Sequence, residues 1–187
     1  MKILHEDHLD EVQLTTEAVY QGKLLKVWKD KVKLPNGRES YRELIKHPGA
    51  VGILPVLPDG SVIFVKQFRY PVSSVLYEIP AGKLEPGENP RVCAERELSE
   101  ETGYTAKQWT YLTSIVTTPG FTNELIHLYV ARDLTEKKQH PDADEFLDVV
   151  KISHNELKQM LLKQDIFDSK SLSALLLYLL RVKDCNL

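Results

Sequence analysis

The sequence has little cysteine, no long apolar run and almost no excess of either charge. Cys93 and Cys185 are the only cysteines among 187 residues, which excludes the disulfide framework of small secreted domains. The longest apolar stretch, residues 175–180, is far shorter than the ~20 residues that a membrane-spanning helix needs. Polar residues 5–8 follow close after the start, so we expect no apolar signal segment. We therefore expect a cytoplasmic protein with two free thiols and no membrane partner.

Charge and size narrow the class of protein further. The formal net charge is -3, which provides no overall basic field for a polyphosphate chain. This charge predicts that nucleic acid is not a partner. A hydrophobic fraction of 42% and a charged fraction of 27% are ordinary for a globular protein. The length suits one ample domain, or a domain with a small accessory region.

Residues 1–47 are predicted to form an N-terminal antiparallel β-rich subdomain. Strand-like segments cover residues 17–20, 24–34 and 39–45, and Asn36-Gly37 is a strong tight-turn signal. Three strands alone would be marginally stable, so this piece should pack on the main domain or on a second subunit. The breaking sequence His-Pro-Gly at residues 47–49 suggests that a second domain covers residues 48–187.

The rest of the chain has the pattern of an α/β domain. Its predicted strands are residues 50–57, 61–68, 77–80, 109–117, 125–131 and 146–152. Residues 153–156 resemble a capping box, which predicts a helix to about residue 162. A last, leucine-rich helix is predicted to begin near residue 168 or 169.

The segment from residue 82 to residue 104, GKLEPGENPRVCAERELSEETGY, carries the most information. Asn89 is a suitable N-cap and Gly103 a suitable C-terminal residue, so a helix is predicted between them. Glu97, Glu100 and Glu101 are spaced three and four apart and share one face of that helix. Clustered carboxylates repel one another unless cations neutralise them, and hard divalent ions prefer carboxylate oxygens.

The same segment resembles the Nudix box, G-x5-E-x7-R-E-U-x-E-E-x-G-U, in which U is a bulky apolar residue. The matching positions are Gly82, Glu88, Arg96, Glu97, Leu98, Glu100, Glu101 and Gly103, with Tyr104 in the last apolar position. This resemblance implies the Nudix fold, a mixed β-sheet sandwiched between α-helices, over about residues 48–182. It also implies metal-dependent hydrolysis of a nucleoside diphosphate that is linked to another group.

The resemblance carries a set of metal ligands onto this chain. It implies that Glu97, Glu100, Glu101 and the backbone carbonyl of Ala81 hold Mg²⁺, with Mn²⁺ as a substitute. Glu97 and Glu101 are therefore also the first catalytic candidates. Gly82 would allow the close approach of backbone, metal and phosphate.

Further candidates surround this ligand set. Glu88 is expected to support its own loop or Arg96, which in turn can hold a carboxylate by a bidentate pair. Relatives often recruit a general base from a loop beyond the box. Glu145 is our candidate for that base, with Asp142 and Asp144 as alternates, although a merely solvated acidic loop explains these residues equally well.

A second resemblance narrows the substrate. Residues 117–124, TTPGFTNE, resemble a segment of ADP-ribose pyrophosphatases, with Pro119 fifteen positions after Tyr104. That subfamily commonly has a strand-rich N-terminal region that is exchanged across a homodimer, so the resemblance implies a homodimer here. Arg69 and Arg42 are candidate phosphate or ribose ligands, because a guanidinium binds phosphate through planar, bidentate donors.

Three more residues are weaker candidates for substrate binding. Tyr20 or Trp28 is a candidate to stack on the adenine ring, although plain packing explains each of them better. Glu124 could bind a ribose hydroxyl or metal-side water, or could simply cap its turn.

The predicted function is hydrolysis of ADP-ribose to AMP and ribose 5-phosphate. The closest alternative is another nucleoside diphosphate sugar, with NADH and dinucleoside polyphosphates ranked lower. An alternative of a different class is a Nudix-fold ligand sensor without catalysis. Such sensors typically lose glutamates of the box, whereas this chain keeps all of them.

Overall fold

The computed structural model describes residues 6–140, 145–166 and 168–184. The chain divides into two compact units: residues up to Gly49 together with Val116–Leu125, and Ala50–Ile115 together with the residues from Ile126 onward. The domain boundary that the sequence suggests between residues 47 and 48 stays a prediction. None of the helices in the described ranges is long and apolar enough to cross a membrane.

The first unit contains the three predicted N-terminal strands. They are β1 (Val12–Gln21), β2 (Lys26–Lys33) and β3 (Glu39–Ile45), which pair antiparallel in the order β1-β2-β3. The turn between β2 and β3 needs glycine, because Gly37 has a φ of 83°. β1 begins five residues earlier than predicted, since its pairing with β2 continues to Val12 opposite Lys33. All of β1 is exposed.

The remaining strands form two sheets. They are β4 (Ala50–Pro55), β5 (Val62–Arg69), β6 (Ser74–Glu78), β7 (Ala81–Lys83), β8 (Tyr104–Val116), β9 (Leu125–Glu136) and β10 (Leu147–Ile152). One sheet has the order β7-β4-β9-β8, and β4 is parallel to β9 but antiparallel to β7. The other has the order β10-β5-β6 and is antiparallel. The predicted α/β fold with a mixed sheet is therefore confirmed.

Three helices complete the chain: α1 (Pro90–Thr102), α2 (His154–Lys163) and α3 (Ser169–Asp184). α1 has the predicted ends, since Asn89 Oδ1 accepts from the Arg91 N–H at 2.8 Å and Gly103 is left-handed at φ 72°. Ser153 caps α2 by accepting from the Glu156 N–H. Neither β7 nor the 3-10 turn Tyr70–Val72 was predicted, because three-residue elements are too short to show a periodic pattern.

The core of the second unit lies on both sides of β4. Ile53 packs in a cluster with Leu98 of α1, whereas the neighbouring Leu54 packs in a second cluster with Leu175 of α3. Alternate residues of a strand point to opposite faces, so β4 is buried on both. Cys93 of α1 is a free, buried thiol whose pKa burial raises to about 12, while Cys185 lies outside the described residues.

Candidate active site

The backbone of β7 lies directly against two glutamates of α1. The Ala81 N–H donates a hydrogen bond to Glu101 Oε2 at 3.0 Å. A Cβ built on Gly82 would be 1.9 Å from Glu97 Cδ, so any side chain at this position would displace the carboxylate. β7 is held in place by its pairing with β4, in which Gly82 lies opposite Val51. Two carboxylates and the backbone at residues 81 and 82 are thus brought together.

Both of these carboxylates are buried. Glu101 is 3% exposed and Glu97 is 9% exposed. Burial, and after it the charge of Glu97, raise the pKa of Glu101 to about 8, although the hydrogen bond from the Ala81 N–H acts in the opposite direction. Burial also raises the pKa of Glu97. Buried carboxylates in this position need a compensating charge, and hard oxygen donors are what Mg²⁺ and similar ions bind. The residues present therefore fit a divalent cation.

Arg96 links the box glutamates to the loop before α1. Its guanidinium donates to Glu97 at 2.7 Å, to Glu100 at 3.0 Å, and through Nε and Nη2 to both oxygens of Glu88 at 3.0 Å. Glu88 also accepts from the Glu85 N–H, so it supports both its loop and Arg96, as predicted. Arg96 lowers the pKa of Glu88 to about 2. Within the described ranges, no three acidic, His or Cys side chains already converge as a metal site.

Glu145 lies near the same carboxylates. Its charge contributes to the raised pKa values of both Glu97 and Glu101. The chain before it is attached to the end of α1, where Gln139 Nε2 donates to the Glu101 carbonyl at 2.7 Å. The alternates Asp142 and Asp144 lie outside the described residues.

Arg69 lies in a group of charges beside this site. Its Nε and Nη2 donate to the two oxygens of Glu78 at 2.7 and 2.8 Å. Lys170 of α3 contacts the same Glu78 carboxylate and lies 3.1 Å from Asp168. Glu78 mainly, and Glu101 more weakly, raise the pKa of Arg69. The second unit therefore brings together Arg69, the box glutamates and Glu145.

Glu78, Lys170 and Asp168 were not among the predicted site residues. A signal for Glu78 was present, because a glutamate between Tyr77 and Ile79 is unusual in an apolar strand. No comparable signal marked Lys170, since a lysine in the first turn of a leucine-rich helix is ordinary. Its proximity to Glu78, 92 residues away, follows only from the tertiary fold.

Three of the predicted substrate residues lie in the N-terminal sheet. Arg42 on β3 forms an ion pair with Glu11. Trp28 on β2 has Lys46 Nζ 3.9 Å from its ring centroid, and its buried indole N–H lacks a hydrogen-bond partner in the described structure. Tyr20 on β1 is 58% exposed. The sheet leaves Tyr20 open to contact and encloses Trp28 more fully.

The other two candidates lie in the turn between β8 and β9. Pro119 is exposed at the tip of this turn. Glu124 accepts from Thr117 Oγ1 at 2.6 Å and lies 3.5 Å from His47 Nε2. These contacts match the capping role that the sequence analysis left open for Glu124.

Comparisons with known proteins agree with this geometry. A family model described as NUDIX domain matches residues 46–175. An ADP-ribose pyrophosphatase of Bacillus subtilis is 43% identical over 169 residues, covering 89% of this chain and 91% of that protein. A methanol dehydrogenase activator of Bacillus methanolicus is 44% identical over 167 residues, covering 88% and 90%.

A solved structure shows the same fold over nearly the whole length. The crystal structure of an ADP compounds hydrolase matches with a TM-score of 0.84 at 25% identity, covering 98% of both chains. The matched residues 46–175 include the whole box, α1 and β7. The chain therefore belongs to the Nudix hydrolase family, as its box predicted.

Proposed function

We propose that this Nudix hydrolase cleaves ADP-ribose to AMP and ribose 5-phosphate, with Mg²⁺ as its natural cation and Mn²⁺ as a substitute. The observation that carries the proposal is the pair of buried carboxylates, Glu97 and Glu101, against the backbone of Ala81 and Gly82. The names of a 43% identical relative and of the matching solved structure support the substrate.

The ligand set is proposed from the same contacts. Glu97, Glu100, Glu101 and the Ala81 carbonyl would hold the cation, and Arg96 would release Glu97 and Glu100 to it while staying on Glu88. When bound, a divalent cation neutralises phosphate charge and lowers the pKa of a coordinated water. Gly82 keeps the space that this arrangement needs.

The chain's own residues then act on water and on phosphate. Glu145 takes a proton from the attacking water. At the same time the water oxygen bonds to phosphorus, and the P–O bond to the leaving phosphate breaks. The leaving phosphate, or solvent, receives the proton afterwards. Arg69 binds phosphate oxygens through its exposed side, since the side chain is 43% exposed although it is paired with Glu78.

We also propose that Tyr20, Trp28, Arg42, Pro119 and Glu124 contribute to substrate binding. The unpartnered indole N–H of Trp28, among the described residues, supports this role. Alanine variants of residues in direct contact should raise KM more than they lower kcat. If a variant leaves both KM and kcat unchanged, the substituted residue does not contribute to substrate binding.

The proposed assembly is a cytoplasmic homodimer without a nucleic-acid partner. Support for the dimer comes from β1, whose side chains Val12, Leu14 and Val19 are about half exposed. Light scattering behind size-exclusion chromatography should give twice the chain mass of 21.4 kDa. If the immobilised protein retained single-stranded RNA at low salt, the prediction that nucleic acid is not a partner would be contradicted.

A hydrolysis panel tests the proposed reaction. ADP-ribose, ADP-glucose, GDP-mannose, NADH and a diadenosine polyphosphate are incubated with Mg²⁺, and Glu101→Gln serves as the control. Preferred release of AMP and ribose 5-phosphate, lost in the variant, is the expected result. If another compound were hydrolysed preferentially, that compound would take the place of ADP-ribose as the proposed substrate. No turnover of any compound, with Mg²⁺ or Mn²⁺, would favour the ligand sensor.

A further inference from the structure

Glu78, at the end of β6, is the buried centre of a group of four charges. It is 1% exposed, and both of its oxygens are bound by the guanidinium of Arg69. Lys170 Nζ donates to Glu78 Oε2, the oxygen that also accepts from Arg69 Nη2. The side chain of Lys170 is itself only 9% exposed. One buried carboxylate is thus shared by two cations.

Asp168, the fourth member, has a separate source of compensation. It precedes α3 and accepts from the Ser171 N–H at 3.0 Å and from Ser171 Oγ at 2.6 Å. This is the geometry of an N-cap, in which the helix N-terminus stabilises the negative charge. The negative charge of Asp168 is therefore compensated only in part by Lys170, which lies 3.1 Å away. The charge of Lys170 remains available to compensate Glu78.

The two cations differ in where they lie. Arg69 is 43% exposed, and the charge of Glu101 contributes to its raised pKa after that of Glu78. Lys170, in contrast, is buried. A guanidinium paired with a carboxylate that has no other cation would have its charge largely cancelled, and would attract an anionic ligand weakly. A second cation on the same carboxylate prevents that cancellation.

We propose that Lys170 is a positioning residue, which neutralises Glu78 from the buried side so that Arg69 keeps its positive charge for the diphosphate of the substrate. The inference rests on the proposed function, which gives Arg69 its role on phosphate. It adds a residue from α3 to a site otherwise built from the box, β5 and the segment at Glu145.

Binding of ADP tests the inference without turnover. ADP carries a diphosphate like that of the proposed substrate, and its affinity can be measured by isothermal titration calorimetry in Mg²⁺ buffer. Lys170→Met removes the charge and nearly keeps the length of the side chain. It should weaken ADP binding roughly tenfold. The KM for ADP-ribose should rise by a similar factor, with a smaller change in kcat.

A variant that removes a negative charge instead of a positive one distinguishes an electrostatic role of this group from a purely structural one. Asp168→Asn keeps an N-cap but removes a negative charge from the same group. Its ADP affinity should equal or exceed that of the wild type, whereas a purely structural role for the group predicts a loss. This variant also keeps the test decisive if Lys170→Met folds poorly, because weaker ADP binding by folded Asp168→Asn would overturn the inference.

A double-mutant cycle identifies the residue through which Lys170 acts. In an Arg69→Met background, Lys170→Met should change ADP affinity less than about twofold. A loss of the same size in both backgrounds would overturn the inference, and would point to an effect on the cation through Glu101. A wild type that binds ADP but does not hydrolyse ADP-ribose would refute the proposed function, while the ADP titrations would still decide the role of Lys170.

Discussion

The backbone of Gly82 lies so close to the Glu97 carboxylate that a single added carbon would overlap it, at 1.9 Å from Cδ. The two residues are fifteen positions apart and lie on β7 and α1. The glycine is therefore needed for the position of a neighbouring side chain. Its φ is not among the positive values, so conformational freedom is not the reason for glycine here.

Gly82→Ala should lower activity about a hundredfold at a small cost in stability. The added Cβ pushes the Glu97 carboxylate away, and misplacing a catalytic group by about 1 Å lowers the rate roughly a hundredfold. The end of a glutamate side chain can move, so the melting temperature should fall only slightly. We would measure kcat/KM and thermal unfolding. Gly87→Ala is the control for activity, because nothing lies within 4 Å of its Cβ position; its φ of 77° means that this variant loses some stability of its own. Equal activity in both variants would contradict the prediction.

Glu101→Gln should separate function from stability. The variant loses a proposed ligand, so turnover should fall at least about a hundredfold. In EDTA at pH 8 its melting temperature should instead rise, because a buried charge is replaced by an amide that still accepts from the Ala81 N–H. Mg²⁺ should stabilise the wild type but not the variant. Glu95→Gln, on the exposed side of α1, should show neither effect.

Glu145→Gln should lower kcat by roughly 10²–10⁴ while the Mg²⁺ concentration for half-maximal activity stays the same. A general base acts on the water and not on the cation, so the two quantities should separate. Asp148→Asn removes an exposed carboxylate three residues later and is the matched control. If Glu145→Gln kept full turnover at saturating Mg²⁺, Glu145 would lose its assignment.

Glu88→Gln should make the protein less stable above pH 4.5 but not below pH 2. Arg96 lowers the pKa of Glu88 from 4.5 to about 2, so the ionised carboxylate stabilises the fold above pH 4.5. That contribution is lost as the pH falls from 4.5 through 2. The melting temperature at pH 7 should drop by roughly 2–4 °C, and the difference from the wild type should vanish at low pH. A difference that does not depend on pH would contradict the ion-pair explanation.

Gly103→Ala should cost more stability than Gly37→Ala. Both glycines have a positive φ, of 72° and 83°, so the backbone penalty is similar. A Cβ at Gly103 would also lie 2.7 Å from the Lys137 carbonyl, whereas nothing lies within 4 Å at Gly37. The first substitution should therefore lose about 1 kcal/mol more than the second in urea unfolding. Equal losses would mean that the chain after β9 is not held against α1.

The part of the site that the sequence predicted is local in the chain. α1 could be placed between Asn89 and Gly103 because the cap, the first-turn proline and the left-handed glycine all lie within fifteen residues. The spacing of Glu97 and Glu101 then put both on one face. The contact of Glu88 with Arg96 could be anticipated for the same reason, since both residues belong to one loop and one helix.

The part of the site that could not be predicted depends on contacts between residues far apart in the chain. The register of β5 with β6 sets Arg69 opposite Ser74 and Glu78 opposite Val65, so the contact between the Arg69 and Glu78 side chains is not one that strand pairing or any periodic pattern encodes. Lys170 reaches the same carboxylate from another helix. Burial also cannot be read from composition, so the raised pKa of Glu101 emerged only when its surroundings were known.

The contact between Glu78 and Lys170 affects the order in which parts of the protein can fold during synthesis. The Ile79 N–H donates to Ser171 Oγ, so β6 and α3 are joined by a polar link across 92 residues. During synthesis the box, β7 and α1 leave the ribosome long before α3 exists. Until then Glu78 lacks one of its two cations and Ile79 lacks its acceptor. A nascent chain can thus fold its glutamate helix early, yet it completes the surroundings of Arg69 only in the last stage of translation.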